Sequence, residues 1–407
     1  MKFSIKHFVR TLFRKFLGII LPVLFYPIRC LYCEKNVIII QTNSPHRYGG
    51  NPRYLFEYLF EKTNYNVYWV TNSEEIRKYL DRKGYKYISN KNIWKKLLVT
   101  WSARIVIDSG SVYYNFLNLI PHSAIKICTM HGSGPKLAIF KYKRLQRTIS
   151  SIKKINKFDF FSFCSKHAEM MIGKNQLLLH SEKMVMLGAP KSDQFYNKKF
   201  VEQSYYTKKH ISSIIPNYDN NAKFIYYTPT YREYAYKLPI FEIIGFNEQK
   251  FQEYLDKNNI YFIYSFHSSS AFTKTLKHSN KIIFFSYEEY PLIDNNQLLM
   301  EVDLVINDYS TISTDAAIIN KPQLFIMPDY NEMEETRGFA EDMRSMVPGP
   351  EVFKFNELVD YINKYLDNPL IYIKENSSRI NLLLARYMDN RISNSCELYK
   401  NFIDNII

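Results

Sequence analysis

Four hydroxyl side chains, Ser310, Thr311, Ser313 and Thr314, stand between an apolar run at 304–306, closed by Asn307 and Asp308, and helix-compatible residues at 316–319. The order reads as strand, turn, helix start. A helix start exposes backbone N–H groups without internal partners together with the positive end of the peptide dipole, so hydroxyls around it make a seat for phosphate. The same residues would also serve a plainer purpose, since Asp308 and Ser310 are of the types that cap helices throughout soluble proteins. Two histidines add proton chemistry. His131 follows an apolar run at 125–130 and is succeeded by Gly132, Ser133, Gly134, Pro135 and Lys136, where two glycines let the backbone approach a ligand closely. His267 follows the run at 261–265. In an open α/β sheet ligands gather beyond the carboxyl ends of strands, and imidazole is the side chain whose ordinary pKa lies nearest neutrality. A hydrogen-bonded structural histidine is the alternative at either place.

Two more strand ends carry polar residues. Gly188-Ala189-Pro190 leads into Lys191, Ser192 and Asp193, which suits either a point-charge contact to phosphate or a turn with a capping Asp. Thr228-Pro229-Thr230-Tyr231-Arg232-Glu233 follows the run at 224–227. Arg232 would there hold phosphate or pair with Glu233.

Taken together, these segments resemble the CDP-glycerol glycerophosphotransferase family, the teichoic-acid primases and polymerases. That family carries a T-D-Y-S-S segment, a helix, K-P, an Asp, R-G-F and P-G-P, and the matches here are residues 307–311, Lys321-Pro322, Asp329, 337–339 beginning at Arg337, and 348–350. Its H-G-T-P-L-K segment corresponds to the stretch from His131, with Ser133 for Thr and an added Gly134. Its G-x-P-R-x-D corresponds to 188–193, with Lys191 for Arg. Its A-P-T-W-R-D corresponds to 228–233. Around His267 the histidine matches, while the family's Arg and Pro are replaced.

The resemblance implies an enzyme that moves an alcohol phosphate from CDP-glycerol or CDP-ribitol to a hydroxyl on a lipid-linked glycan or polymer, releasing CMP. It implies catalytic roles for His131, as general base, and His267. A donor seat would comprise Arg232, Asp308, Ser310, Thr311, Ser313, Thr314 and Arg337, and the cleft would further include Gly132, Ser133, Lys191, Asp193 and Thr230. No metal is expected, because no Asp-x-Asp pair is present, and no cofactor is expected. Two other readings stay open: a nucleotide-sugar glycosyltransferase on the same fold, and a membrane-bound binding module without turnover.

The elements that must position these residues alternate between strand and helix. Strand-like runs lie at 37–41, 67–70, 105–107, 125–128, 158–163 and 185–187, and a second series lies at 224–227, 261–265, 282–285, 304–306 and 323–326. Largely apolar runs alternating with helical or loop segments predict parallel sheets covered on both faces. A turn-rich stretch at 205–221 predicts a linker between the two series. The expected architecture is therefore α/β, with two Rossmann-like domains facing a cleft; with the resemblance, this is a GT-B-like arrangement. Its divisions are 1–33, an N-terminal segment; 34–210, an acceptor domain; and 222–407, a donor domain.

The net charge of +15 calls for an acidic partner, and 46% hydrophobic residues place the chain in the globular range. No RNP pattern, zinc-finger spacing or Arg-rich block is present, so nucleic acid is not the expected partner. Five cysteines in 407 residues do not form a disulfide framework and read as reduced cytosolic thiols. At the N-terminus, Lys2, Lys6, Arg10 and Arg14 recur every fourth residue beside an apolar face. This predicts a basic amphipathic helix lying on an anionic membrane, on the cytoplasmic face, with the chain held peripherally.

Overall fold

The computed structural model describes residues 36–42, 44–110, 120–121, 123–137, 157–232, 234–266, 270–389 and 393–407. The basic segment at 1–33 and His267 lie outside the described residues.

Two wholly parallel sheets form the frame. The first has the spatial order β3 (Tyr87–Ile88), β2 (Asn66–Val70), β1 (Val37–Gln41), β4 (Ala103–Asp108), β5 (Ile125–Cys128), β6 (Phe160–Ser162), β7 (Met184–Val185). The second runs β10 (Ile282–Phe284), β9 (Ile260–Tyr264), β8 (Lys223–Tyr227), β11 (Leu304–Asn307), β12 (Gln323–Phe325). Every residue of β1, Val-Ile-Ile-Ile-Gln, is buried, as is every residue of β9 and β11. Strands dry on both faces need helices on both faces, which is why the chain alternates between the two elements. Each expected run became a strand. The unexpected one is β3, whose two residues on the sheet edge are too few to show a period.

Both sheets begin with the same winding: the second and third strands lie to one side of the first, the fourth and fifth to the other. The strand order therefore reverses between β1 and β4 and again between β8 and β11. A crevice at the carboxyl ends follows from connections that leave in opposite directions there.

The stretch at 205–221 is not simply a linker. It contains the helix Lys209–Ile214, whose Ile211 and Ile214 are buried with Phe224 and Val305 against the second sheet. The buried Glu301 carboxylate holds the start of this helix, accepting from the backbone N–H groups of His210 and Ile211 at 2.8–3.1 Å. Turn-forming residues alone hid that contact, which reaches across some ninety residues.

The last helix, Ser395–Ile406, crosses back to the first unit. Its Tyr399 and Ile403 are fully buried in the cluster formed by Ile38, Ile40, Leu55 and Trp69. Among the described residues no helix is long and apolar enough to cross a membrane.

Candidate active site

The carboxyl ends of β1, β4, β5 and β11 meet around a cleft of about 250 Å³. Thr42 and Arg47 reach it from beyond β1, Ser109 from beyond β4, Met130 and His131 from beyond β5, and Ser310 to Ile312 from beyond β11. Lys191 and Asp315 close one side, Asn295 and Asn296 another.

His131 sits where the first unit approaches the second. Asn51, buried at the start of the helix Gly50–Lys62, donates from Nδ2 to the Thr129 and Met130 carbonyls at 2.9 and 3.0 Å, and its Oδ1 accepts from the Lys191 N–H at 3.2 Å. One amide side chain thus fixes both the His131 loop and the Lys191 turn. Gly132 then packs against Thr311 so closely that a Cβ would stand 2.8 Å from Thr311 Oγ1. The Ser133 carbonyl accepts from Thr314 Oγ1 at 2.9 Å, and the Pro135 carbonyl accepts from the Ala340 N–H at 2.7 Å. The glycines of this loop therefore seat it on the other unit.

The imidazole of His131 is exposed to the cleft, so a substrate can reach it. The protein beside it displaces part of its hydration. Loss of hydration, and then the charges of Arg47, Lys191 and Lys136, push its pKa down to about 4. At neutral pH it is an uncharged ring in a cationic cleft, able to accept a proton. Lys136 is shifted the same way, to about 7, by burial and then by Arg337, with Asp308 opposing.

Across the cleft, the helix Ile312–Ile318 follows β11 and has no side-chain cap at its N-terminus. The capping alternative for Asp308 and Ser310 is not what the chain does. Ser310 and Thr311 are half-buried on the cleft wall, and Ser313 and Thr314 are buried behind them.

Asp308 and Arg232 lie beneath this wall rather than on it. Both are buried, Arg232 with 1% of its surface exposed. Asp308 accepts from the Thr230 N–H at 2.8 Å, from Thr230 Oγ1 at 2.6 Å and from Arg232 Nη1 at 2.6 Å. Arg232 also reaches Asp329 in two-pronged fashion, Nε to Oδ2 at 2.6 Å and Nη2 to Oδ1 at 3.0 Å, and donates to the Thr230 carbonyl at 2.8 Å. Four of the five guanidinium N–H donors are taken by protein, so its place is that of a buried brace rather than of a phosphate anchor open to the cleft. Neither Asp308, Arg232 nor Thr230 lines the cleft.

Lys191 forms a buried ion pair with Asp315, joining the two units. Asp193, expected in the cleft, instead caps the last helix: its two oxygens accept from the Ser395 and Cys396 N–H groups at 2.8 Å each. Arg337 is half-buried close to Lys136. The candidates that meet at the cleft are thus His131, Lys191, Ser310 and Thr311, with Gly132, Ser133, Ser313 and Thr314 directly behind.

Sequence reasoning missed Arg47, Asn51 and Asp315. Arg47 stacks on Tyr287, its Cζ 4.1 Å from the ring centroid, and donates from Nη2 to the Tyr287 hydroxyl at 3.2 Å; its buried Nε has no hydrogen-bond partner. Its position just beyond β1, at the first switch point, was the available signal.

A family profile described as CDP-Glycerol:Poly(glycerophosphate) glycerophosphotransferase matches residues 24–396. The chain is 27% identical over 321 residues to the teichoic acid glycerol-phosphate primase of Bacillus subtilis (strain 168), covering 77% of this chain and 76% of that protein. It is 24% identical to the teichoic acid poly(glycerol phosphate) polymerase of the same organism, covering 83% of this chain but only 44% of the polymerase. In three dimensions it is similar to the wall teichoic acid polymerase TagF, with a TM-score of 0.69, 17% identity, and coverage of 100% of this chain and 98% of that one. This likeness is one of fold: two parallel α/β units in a GT-B-like arrangement.

Proposed function

The chain belongs to the CDP-glycerol:poly(glycerophosphate) glycerophosphotransferase family, and from that premise we propose that it transfers glycerol phosphate from CDP-glycerol to a hydroxyl of a lipid-linked acceptor, in the synthesis of a teichoic-acid-type polymer. The observation that carries the reading is the pairing, across one cleft, of a neutral His131 ringed by cations with the uncapped, hydroxyl-lined helix start at Ser310 and Thr311.

In this reaction the acceptor oxygen attacks the phosphorus that bears the glycerol. The bond from that phosphorus to the oxygen bridging to CMP breaks, the acceptor proton passes to His131, and CMP leaves carrying the bonding pair. Ser310, Thr311 and the positive end of the helix they open take the diphosphate, and Arg47 supplies a positive field for the charge that grows on the leaving group. Arg232, Asp308, Asp329 and Thr230 hold the two strand ends in register beneath. Arg337 and Lys136 add positive charge where the two units meet. His267 is retained as a second catalytic candidate on the resemblance alone. The chain works as a peripheral protein on the cytoplasmic face of the membrane, held there by the basic segment at 1–33, with 34–210 serving the acceptor and 222–407 the donor. Ribitol phosphate is the other polyol carried by the family, and release of CMP from CDP-glycerol or CDP-ribitol, against a panel of nucleotide sugars, distinguishes the donors.

Ser310→Asp tests the seat itself. A carboxylate where the diphosphate binds should lower donor affinity tenfold or more, which is about 1.4 kcal/mol. Because Ser310 is half-exposed and caps nothing, stability should change by no more than about 0.5 kcal/mol. Calorimetric titration with CDP-glycerol beside a thermal melt reads both quantities. Unaltered affinity would put the phosphates elsewhere and overturn the proposal.

A further inference from the structure

Far along the first sheet from the cleft, the helix Ile93–Ser102 begins with two large apolar side chains in water: Ile93 is 62% exposed and Trp94 64%. The other two tryptophans, Trp69 and Trp101, are buried, so burial was available to aromatic residues in this unit and Trp94 declined it. Beside the pair lies a groove of about 500 Å³ whose wall includes Arg77, Lys78, Lys86, Lys91 and Lys95. Only two carboxylates share it. Glu74 is paired with Lys78 at 3.1 Å, and Asp81 accepts from the Tyr87 hydroxyl at 3.3 Å. Five cations against two anions leave three positive charges in excess.

We propose that the Ile93–Trp94 tip and its cationic groove form a docking surface for an anionic lipid bilayer. Tryptophan is the side chain that settles at the headgroup level of a membrane, with its ring in the interface and its N–H in water. Lysines around it gain from the negative surface potential of an anionic leaflet. A protein partner would suit the apolar pair alone; the surplus of lysine is what selects a lipid surface.

The placement also has a consequence for the cleft. Strand β3 ends at Ile88 and the helix starts five residues later, so Trp94 lies at the carboxyl edge of the sheet, the edge that carries His131 three residues beyond β5. β3 and β5 are four strand intervals apart, or about 19 Å at the usual strand spacing. Docking through Trp94 turns the edge with the cleft toward the bilayer, where a lipid-linked hydroxyl would be presented. That consequence rests on the proposed function; the docking itself does not.

The test uses the full chain and vesicles of mixed phosphatidylglycerol and phosphatidylcholine with brominated acyl chains. Tryptophan emission should move to shorter wavelength and be quenched, and Trp94→Phe should abolish the quenching while the chain still sediments with the vesicles. Lys91→Glu with Lys95→Glu should weaken vesicle partition roughly tenfold or more, since each lysine near the surface is worth about fivefold. CMP release with a soluble acceptor should be unchanged in all of these variants, so a failure of docking and a failure of the transferase reading are separately visible. A vesicle-bound chain whose Trp94 stays unquenched overturns the proposal. So does a shift from dimer to monomer in Trp94→Ser without lipid, which would assign the tip to a second copy of the chain.

Discussion

Replacing His131 with alanine is expected to cut transfer by 10²- to 10⁴-fold, the usual worth of a positioned general base, while leaving the fold intact. The ring is exposed to the cleft and makes no hydrogen bond on which the loop depends; Asn51, Ser133 and Pro135 hold that loop instead. Donor binding should persist, so the loss falls on kcat. The pH profile carries a second signature. With its pKa pushed down to about 4 by lost hydration and by Arg47, Lys191 and Lys136, His131 is deprotonated in the free protein throughout the neutral range, and the acid limb of kcat/KM should lie well below the ordinary histidine value near 6.5. A bound diphosphate offsets those cations and raises the imidazole pKa, so the acid limb of kcat should lie at higher pH than that of kcat/KM. Turnover of His131→Ala within threefold of the parent would remove it from the base role. Coincident acid limbs would mean that the diphosphate does not lie in the field of that ring.

Arg232→Met should unfold the protein more easily by about 3–5 kcal/mol, the cost of leaving a buried charge without its partner. Two carboxylates depend on this guanidinium. Asp308 is wholly buried, and Asp329, although burial raises its pKa, is held below the ordinary carboxylate value by its hydrogen bonds from Arg232. The part of the stability that comes from the lowered Asp329 is present above the unfolded value near 3.9 and disappears as pH falls through the folded one. At neutral pH the melting temperature should therefore drop by roughly 5 °C. Arg232→Lys should recover little, because an ammonium cannot make the two-pronged contact to Asp329 and reach Asp308 as well. An arginine that held phosphate at the cleft surface would behave in the opposite way: melting unchanged, donor affinity reduced. Thermal melts with and without CDP-glycerol separate the two outcomes.

The positions of the strands, and hence the strand-end addresses of His131, Ser310 and Thr311, were legible in the chain because they depend on neighbours. An apolar run of four or five residues followed by Gly, Asn, Asp or Ser ends a strand whatever lies elsewhere, and the winding of a parallel sheet then brings its carboxyl ends to a common edge. The family, too, could be recognised from short segments in order. What the chain could not state was which charge meets which. Arg232 was followed by Glu233 in sequence but is braced by Asp308 and Asp329, which lie 76 and 97 residues further on. Asp193 had the residue type and the strand-end position of a cleft ligand, yet it caps a helix that begins 202 residues away. Lys191 had the charge for phosphate and found Asp315 across the units. In each case residue type specified only that a buried charge needs a partner, and any of several carboxylates would have satisfied it. The partner was chosen by the approach of distant segments, set by how the two sheets and their helices pack. Exposure was decided at the same level: Trp94 and Trp101 lie on one helix, and only its packing against the sheet leaves the first in water and the second in the core.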